Sequence, residues 1–392
     1  MSRIIIRVLM ATIILSCIGV TSGCEYRGNS VAYKDLSGPF FKKEIGCTIY
    51  FVLEPYHETK GLRRHLEPIT DLYAIKPDGR LERQYVPTHD IWASDFVLTD
   101  YGYPIYVWGL DGRMKTIENK DKMKDTFKFD WVGIKAVSFD GKRALTHAVG
   151  SNQETPVQTL DVIDLISGEI LFTVASPWEF TEWSCRGADN GLKNILAMRK
   201  SEEGSHDKEM RTWWEPYLFH FDDENKLTCK MLQFPPPEPM GINDVKMIPY
   251  DGRIIGVTHD GQTARFYQSY PPYDEFTLLL SLELAPVEIA SYSRDGLKLL
   301  LTWVGDDSRK HYIILDMQSK ETAEMFAINQ KARLTPASLS PKGDRLVLLT
   351  ISSEGAQDIQ HLFSVYDTLS GELVDSAEWP YKGFIQNMSV GY

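Results

Sequence analysis

His147 and His259 follow Thr146 and Thr258 at matching places in a repeated pattern, which makes them the first residues to test for chemistry. Imidazoles converging on one opening can bind Zn²⁺ or Mn²⁺. No HxxxH or histidine–carboxylate spacing accompanies them, so no metal and no cofactor are expected. They remain candidates for ligand contact. Residues 54–70 hold His57, Arg63, Arg64 and His65, and residues 199–215 hold Glu202, Glu203, His206, Asp207 and the pair Trp213 and Trp214. Trp and Arg are the residue types that most often dominate binding energy at an interface. The alternative for the tryptophans is that one of them packs its own loop onto the scaffold. Trp303 begins a corresponding loop further on. GxSxG, HExxH and P-loop patterns are absent, so no catalytic residue is assigned.

The elements that must position these residues come in repeats. One unit runs from Ser338 through Gly343 to Thr350 and on to Asp367 and Gly371. A second runs from Ser291 through Gly296 to Thr302 and on to Asp316 and Ser319. A third runs from Val137 through Gly141 to Thr146 and on to Asp164 and Gly168, and a fourth, weaker, from Pro249 through Gly252 to Thr258. Gly252, Gly296 and Gly343 are spaced by 44 and 47 residues, and Gly191 supplies a further copy between Gly141 and Gly252. A period near ~45 residues with two hairpin signals per unit is that of a four-stranded propeller blade. The segments Leu299 to Leu301 and Leu346 to Leu349 are continuously apolar, as expected of strands buried on both faces. Asp164, Asp316 and Asp367 each precede a tight turn and are expected to accept its backbone N–H groups.

These units resemble the WD-like propeller repeats of bacterial envelope proteins, such as the TolB propeller. The resemblance implies an all-β single propeller of four-stranded blades, seven by count, with six or eight as alternatives. The blades are expected at 45–87, 88–130, 134–175, 181–234, 242–284, 287–328 and 334–380. A C-terminal strand at 384–390 is expected to complete blade 1. In a propeller of this kind the loops from second to third strand open on one face, the usual ligand face. They are expected to start at Glu54, Asp100, His147, Arg199, His259, Trp303 and Ile351, with 54–70 and 199–215 the long ones. Pro235 to Pro237 is expected to space blade 4 from blade 5.

The N-terminus reads as an export signal. Arg3 and Arg7 precede an apolar run, Val8 to Val20, too short for a comfortable membrane span. It ends in Thr21-Ser22-Gly23-Cys24, which resembles the lipobox of bacterial lipoproteins. The usual aliphatic residue is missing at Thr21. The resemblance implies cleavage after residue 23, lipidation of Cys24, a tether over 24–44 and anchoring at a membrane of the cell envelope. Cys47, Cys185 and Cys229 form no CxxC, and Cys185 and Cys229 are expected to stay unpaired.

The 392-residue chain is 43% hydrophobic, which excludes wholesale disorder. It has 42 basic against 54 acidic residues and no basic stripe, which argues against nucleic acid. Removal of residues 1–23 leaves 40 against 54, a charge of −14. The reading that best fits is a non-catalytic module binding an envelope protein or polymer, with Trp213, Trp214, Arg63, Arg64, His147, His259 and Trp303 as contacts. The alternative is a propeller-fold glycan lyase or hydrolase with its site at the channel mouth.

Overall fold

The computed structural model describes residues 38–55, 71–85, 96–98, 104–108, 113–119, 122–128, 132–138, 142–149, 158–164, 167, 169–175, 183–203, 211–222, 226–235, 242–284, 286–305, 307, 309–329, 336–353, 359–380 and 383–392. These are arranged as seven antiparallel sheets, six of four strands and one of five, with no helix among the described residues. The fold is an all-β propeller. Blades 2 to 7 begin with the innermost strands Phe96–Leu98, Val132–Val137, Trp183–Ala188, Ile242–Met247, Val287–Tyr292 and Ala337–Leu339. Each is followed in order by three strands toward the rim.

Blade 1 takes its innermost strand from the C-terminus. Gly383–Gly391 pairs with Thr48–Pro55, Thr48 standing opposite Gly391 and Pro55 opposite Gly383. Asp71–Ile75 and Arg80–Tyr85 follow outward, and Gly38–Pro39 adds a short fifth strand. Innermost strands of neighbouring blades touch all the way round, from Gly383–Gly391 through blades 2 to 7 and back. Closure of this ring leaves no blade face unpaired with a neighbour.

The turn chemistry explains why the repeats fold alike. Gly252, Gly296 and Gly343 adopt φ of 70°, 65° and 70°, a region that L side chains avoid. Three residues before the glycine in three of the repeats stands a serine whose Oγ accepts a backbone N–H across the turn. Ser138 takes Arg143 at 2.9 Å, Ser293 takes Lys298 at 2.9 Å, and Ser340 takes Arg345 at 3.0 Å. The repeated aspartates act at the next turn out. Asp164 Oδ1 accepts the Ser167 amide, Asp316 Oδ1 those of Gln318 and Ser319, and Asp367 Oδ1 those of Leu369 and Ser370.

Between blades, apolar side chains from both strand faces interdigitate. Ile255, Val257 and Phe266 of blade 5 meet Leu299, Leu301 and Ile313 of blade 6 in one such seam. Leu300, Tyr312 and Ile314 on the reverse face of blade 6 meet Leu339, Leu346 and Leu348 of blade 7. Each fully buried leucine contributes about 2 kcal/mol of transfer free energy. None of Cys47, Cys185 and Cys229 forms a disulfide.

Two sequence expectations are corrected. In blade 2, Phe96–Leu98 is the innermost strand and pairs with Pro104–Trp108, with Arg113–Asn119 and Lys122–Lys128 outside. The strands on either side of Asp100 are therefore first and second, not second and third as expected; Asp100 itself lies outside the described residues. In blade 4, 199–215 is not one long loop. Its strands Asn194–Glu203 and Arg211–Phe221 stay paired out to Glu203 opposite Arg211, because Thr212, Trp213 and Trp214 are strand-forming residues.

Candidate functional site

Second-to-third-strand loops leave one end of the propeller, and the best-defined polar group there sits on the hairpin of blade 6. Trp303 and His311 are direct cross-strand partners. Their rings stack with centroids 4.5 Å apart and planes 20° from parallel. His311 Nε2 lies 3.1 Å from Asp307 Oδ1, and its Nδ1 lies 3.2 Å from Glu324 Oε1 on the outermost strand. Both ring nitrogens thus face carboxylates, an arrangement that favours the doubly protonated imidazolium. The hydrogen bond to Asp307 is the leading cause of a raised His311 pKa, with Glu324 adding to it and burial opposing. Asp307 is shifted down by the same contact and by the Arg309 amide it accepts at 3.0 Å. Gly305 makes room for the ring, since a Cβ there would come within 2.7 Å of His311 Nε2.

Blade 5 brings a second histidine to the same seam. Side chains alternate along a strand, so His259 continues the face of Ile255 and Val257. Those two residues pack into the cluster on which Trp303 rests. His259 is half-buried, and its Nδ1 is enclosed without a hydrogen-bond partner among the described residues. Beside it, Asp260 accepts the amides of Thr263 and Gln262 and pairs with Arg265 at 2.6 Å. These bonds, the Thr263 amide first, draw its carboxyl down to about 2. His259 and Trp303, two of the sequence candidates, therefore share the blade 5–6 seam.

Blade 4 carries its own charged group. Arg199 Nε donates to Glu215 Oε2 at 3.0 Å, and its guanidinium lies 4.9 Å from the Tyr217 ring centroid. Nearer the axis, buried Asp244 accepts the Ile289 amide of blade 6 at 3.0 Å and lies 3.7 Å from Arg186 of blade 4. That carboxylate ties three innermost strands together.

The remaining candidates are not brought together. His147 belongs to Arg143–Val149 of blade 3, opposite Leu160, two blades from His259. Trp213 and Trp214 stand in a strand opposite Ser201 and Lys200. Arg63, Arg64 and Cys24 lie outside the described residues. Among the described residues no cluster of three His, Cys, Asp or Glu side chains is arranged to hold a metal ion. Sequence reading missed His311, Asp307, Glu324 and Arg199–Glu215. A signal for the first was present, because His311 faces Trp303 across a short hairpin.

Chemically, the blade 6 group offers an indole edge, an imidazole whose protonated form is favoured, and two carboxylates. Its surplus of negative charge suits ligands that present hydroxyl or cationic donors.

No known family model matches the chain, and no curated protein is similar to it in sequence. Among solved structures it is similar to an oligogalacturonate lyase in complex with manganese, at 10% identity and TM-score 0.53, covering 84% of this chain and 96% of that one. It is also similar to a puromycin-hydrolyzing peptidase of Mycobacterium tuberculosis, at 12% identity and TM-score 0.52, covering 86% of this chain and 52% of that one. TolB from Acinetobacter baumannii aligns at 14% identity and TM-score 0.45, over 88% of this chain and 83% of that one. These likenesses are of fold, which propellers of many functions share.

Proposed function

We propose that this protein is a lipid-anchored, non-catalytic binding module of the bacterial cell envelope, whose second-to-third-strand loop face engages an envelope protein or polymer. The observation that carries the reading is the Trp303–His311 stack with its two carboxylates at the end of the blade 5–6 seam. Trp303 and His311 stand on paired strands and Asp307 caps the hairpin between them, so the group presents aromatic and charged atoms at one end of the ring. Trp213, Trp214, Arg63, Arg64, His147 and His259 are the further proposed contacts. A lipidated Cys24 holds the module at the membrane.

The test is a crosslinking pull-down from native membranes. Wild type is compared with Trp303→Ala/His311→Ala and with Trp213→Ala/Trp214→Ala, each checked for an unchanged melting temperature. Loss of a specific partner in the folded variants is expected. Recovery of the same partners at the same yield overturns the loop-face assignment. Release of product from neutral or acidic glycans by the purified protein overturns the non-catalytic reading.

A further inference from the structure

The opposite end of the propeller, where first-to-second and third-to-fourth strand turns emerge, has a different surface. Leu369, at the outer turn of blade 7, is 91% exposed, and Leu373 beside it is also exposed. Tyr250 and Tyr270 project from the two turns of blade 5, Ile170 from blade 3, and Tyr392 from the closing seam, all exposed. Two of these tyrosines have an arginine beside them. Arg294 donates to the Tyr392 hydroxyl at 3.0 Å, and Arg253, itself buried, lies 5.8 Å from the Tyr270 ring centroid and donates to the Gly296 carbonyl at 3.0 Å. Exposed leucine and isoleucine side chains at the same end of the ring as exposed phenols suit the boundary between lipid headgroups and acyl chains, where an amphipathic ring has one apolar and one wet end.

The described chain begins close to this end, its first strand running toward it. Gly38 stands opposite Leu81, and the Phe40 and Phe41 amides donate to the carbonyl of Gly79 in the outer turn of blade 1. Only residues 25–37 separate Cys24 from that point, thirteen residues that span at most roughly 45 Å when fully extended.

We propose that this turn face rests on the lipid surface and directs the loop face away from it. The inference relies on lipidation at Cys24 for the anchor, and it adds an orientation that the anchor alone does not set. With a charge of −14 once residues 1–23 are removed, the protein as a whole is not drawn to anionic lipids. The contact is apolar and should survive added salt.

The experiment uses the lipidated full chain in vesicles of phosphatidylethanolamine and phosphatidylglycerol containing brominated acyl chains. A fluorophore is placed at Leu369→Cys or, on the other face, at Gln262→Cys, in a Cys185→Ser/Cys229→Ser background. Quenching at position 369 at least twofold stronger than at 262, unchanged in 0.5 M salt, is the expected result. Equal quenching at both positions, none at 369, or stronger quenching at 262 overturns the orientation. Concentration-dependent shielding of the 369 probe without vesicles assigns the face to a second copy and also overturns it. A parallel sample replaces Cys24 by a hexahistidine held on nickel-chelating lipid, while intact mass reports on the natural N-terminus. An unmodified N-terminus with selective quenching in the nickel arm then rejects lipidation and keeps the face; a lipidated N-terminus without selective quenching rejects the face alone.

Discussion

His361 and Ile385 meet across the seam that closes the ring. The Ile385 amide, on the C-terminal strand, donates to His361 Nε2 of blade 7 at 3.3 Å. To accept, the imidazole must be neutral with its proton on Nδ1. The His361 carbonyl accepts the Trp379 amide at 2.8 Å, and Trp379 belongs with Phe40, Phe51, Tyr73 and Phe363 to an aromatic cluster that joins blade 7 to blade 1.

A pH dependence follows. Burial pushes the His361 pKa down to about 4 from an ordinary 6.5. Between those values the unfolded chain takes up a proton that the folded chain refuses, so stability falls as pH drops through that window. The loss reaches about 3 kcal/mol at most by linkage. Melting temperature measured from pH 7.5 to 4 should fall more steeply in wild type than in His361→Gln. Parallel slopes for the two proteins would remove His361 as the cause.

Deleting residues 382–392 should have a larger effect. The deletion removes the whole ladder opposite Thr48–Pro55 together with buried Ile385 and Val390. Blade 1 would be left with an open inner edge against blades 2 and 7. We expect aggregation, or a loss of several kcal/mol by urea denaturation. A truncated chain with an unaltered midpoint would show that the ring closes without the tail.

How legible this fold was depended on the turns. Gly252, Gly296 and Gly343 mark reversals that need positive φ, so the blade period could be counted directly. Blade 2 was displaced by one strand because its first link, Asp100 to Gly102, lacks the serine three residues before glycine that marks Ser138, Ser293 and Ser340. The 199–215 segment looked like a loop because Arg199, Lys200, Glu202 and Glu203 hide the alternation of a strand that extends beyond the core. Glu324 was invisible as a partner of His311, thirteen residues away. They meet only because a bulge between Tyr312 and Ile313 shifts the register toward the outermost strand.

Gly256 tests the link between blades 4 and 5. A Cβ there would stand 2.1 Å from Phe234 Cε1. The Phe234 ring cannot easily yield, because Phe276 packs on it at 4.2 Å and Tyr267 meets it edge-on at 6.0 Å. Gly256→Ala should cost about 1–3 kcal/mol as an overpacking lesion. In a Phe234→Ala background the same substitution should cost much less, and a double-mutant cycle by chemical denaturation measures the difference.

The turn aspartates give a smaller, additive effect. Asp316 is held below the ordinary carboxylate range chiefly by the Ser319 amide, with the Gln318 amide also contributing. Replacing Asp316 with Ala leaves two turn amides without their acceptor and should cost about 1–2 kcal/mol. Asp367→Ala should match it and also release Arg345, which donates to Asp367 Oδ2 at 2.6 Å. Equilibrium unfolding of the two single variants and the double variant should show near-additivity, since the residues serve turns of different blades.

His311 should behave oppositely to His361. Its pKa is raised above 6.5, first by Asp307 and then by Glu324. The folded chain therefore holds its proton more tightly than the unfolded one. The resulting stabilisation is fully present below pH 6.5 and disappears as pH rises through the raised value. Asp307→Asn removes the leading cause, so the titration midpoint of His311 should move down toward 6.5, with Glu324→Gln giving a smaller move. Ring-proton chemical shifts, assigned through loss of the signal in His311→Gln, follow this directly. If the Asp307→Asn midpoint stays where the wild type has it, the carboxylate does not hold the proton.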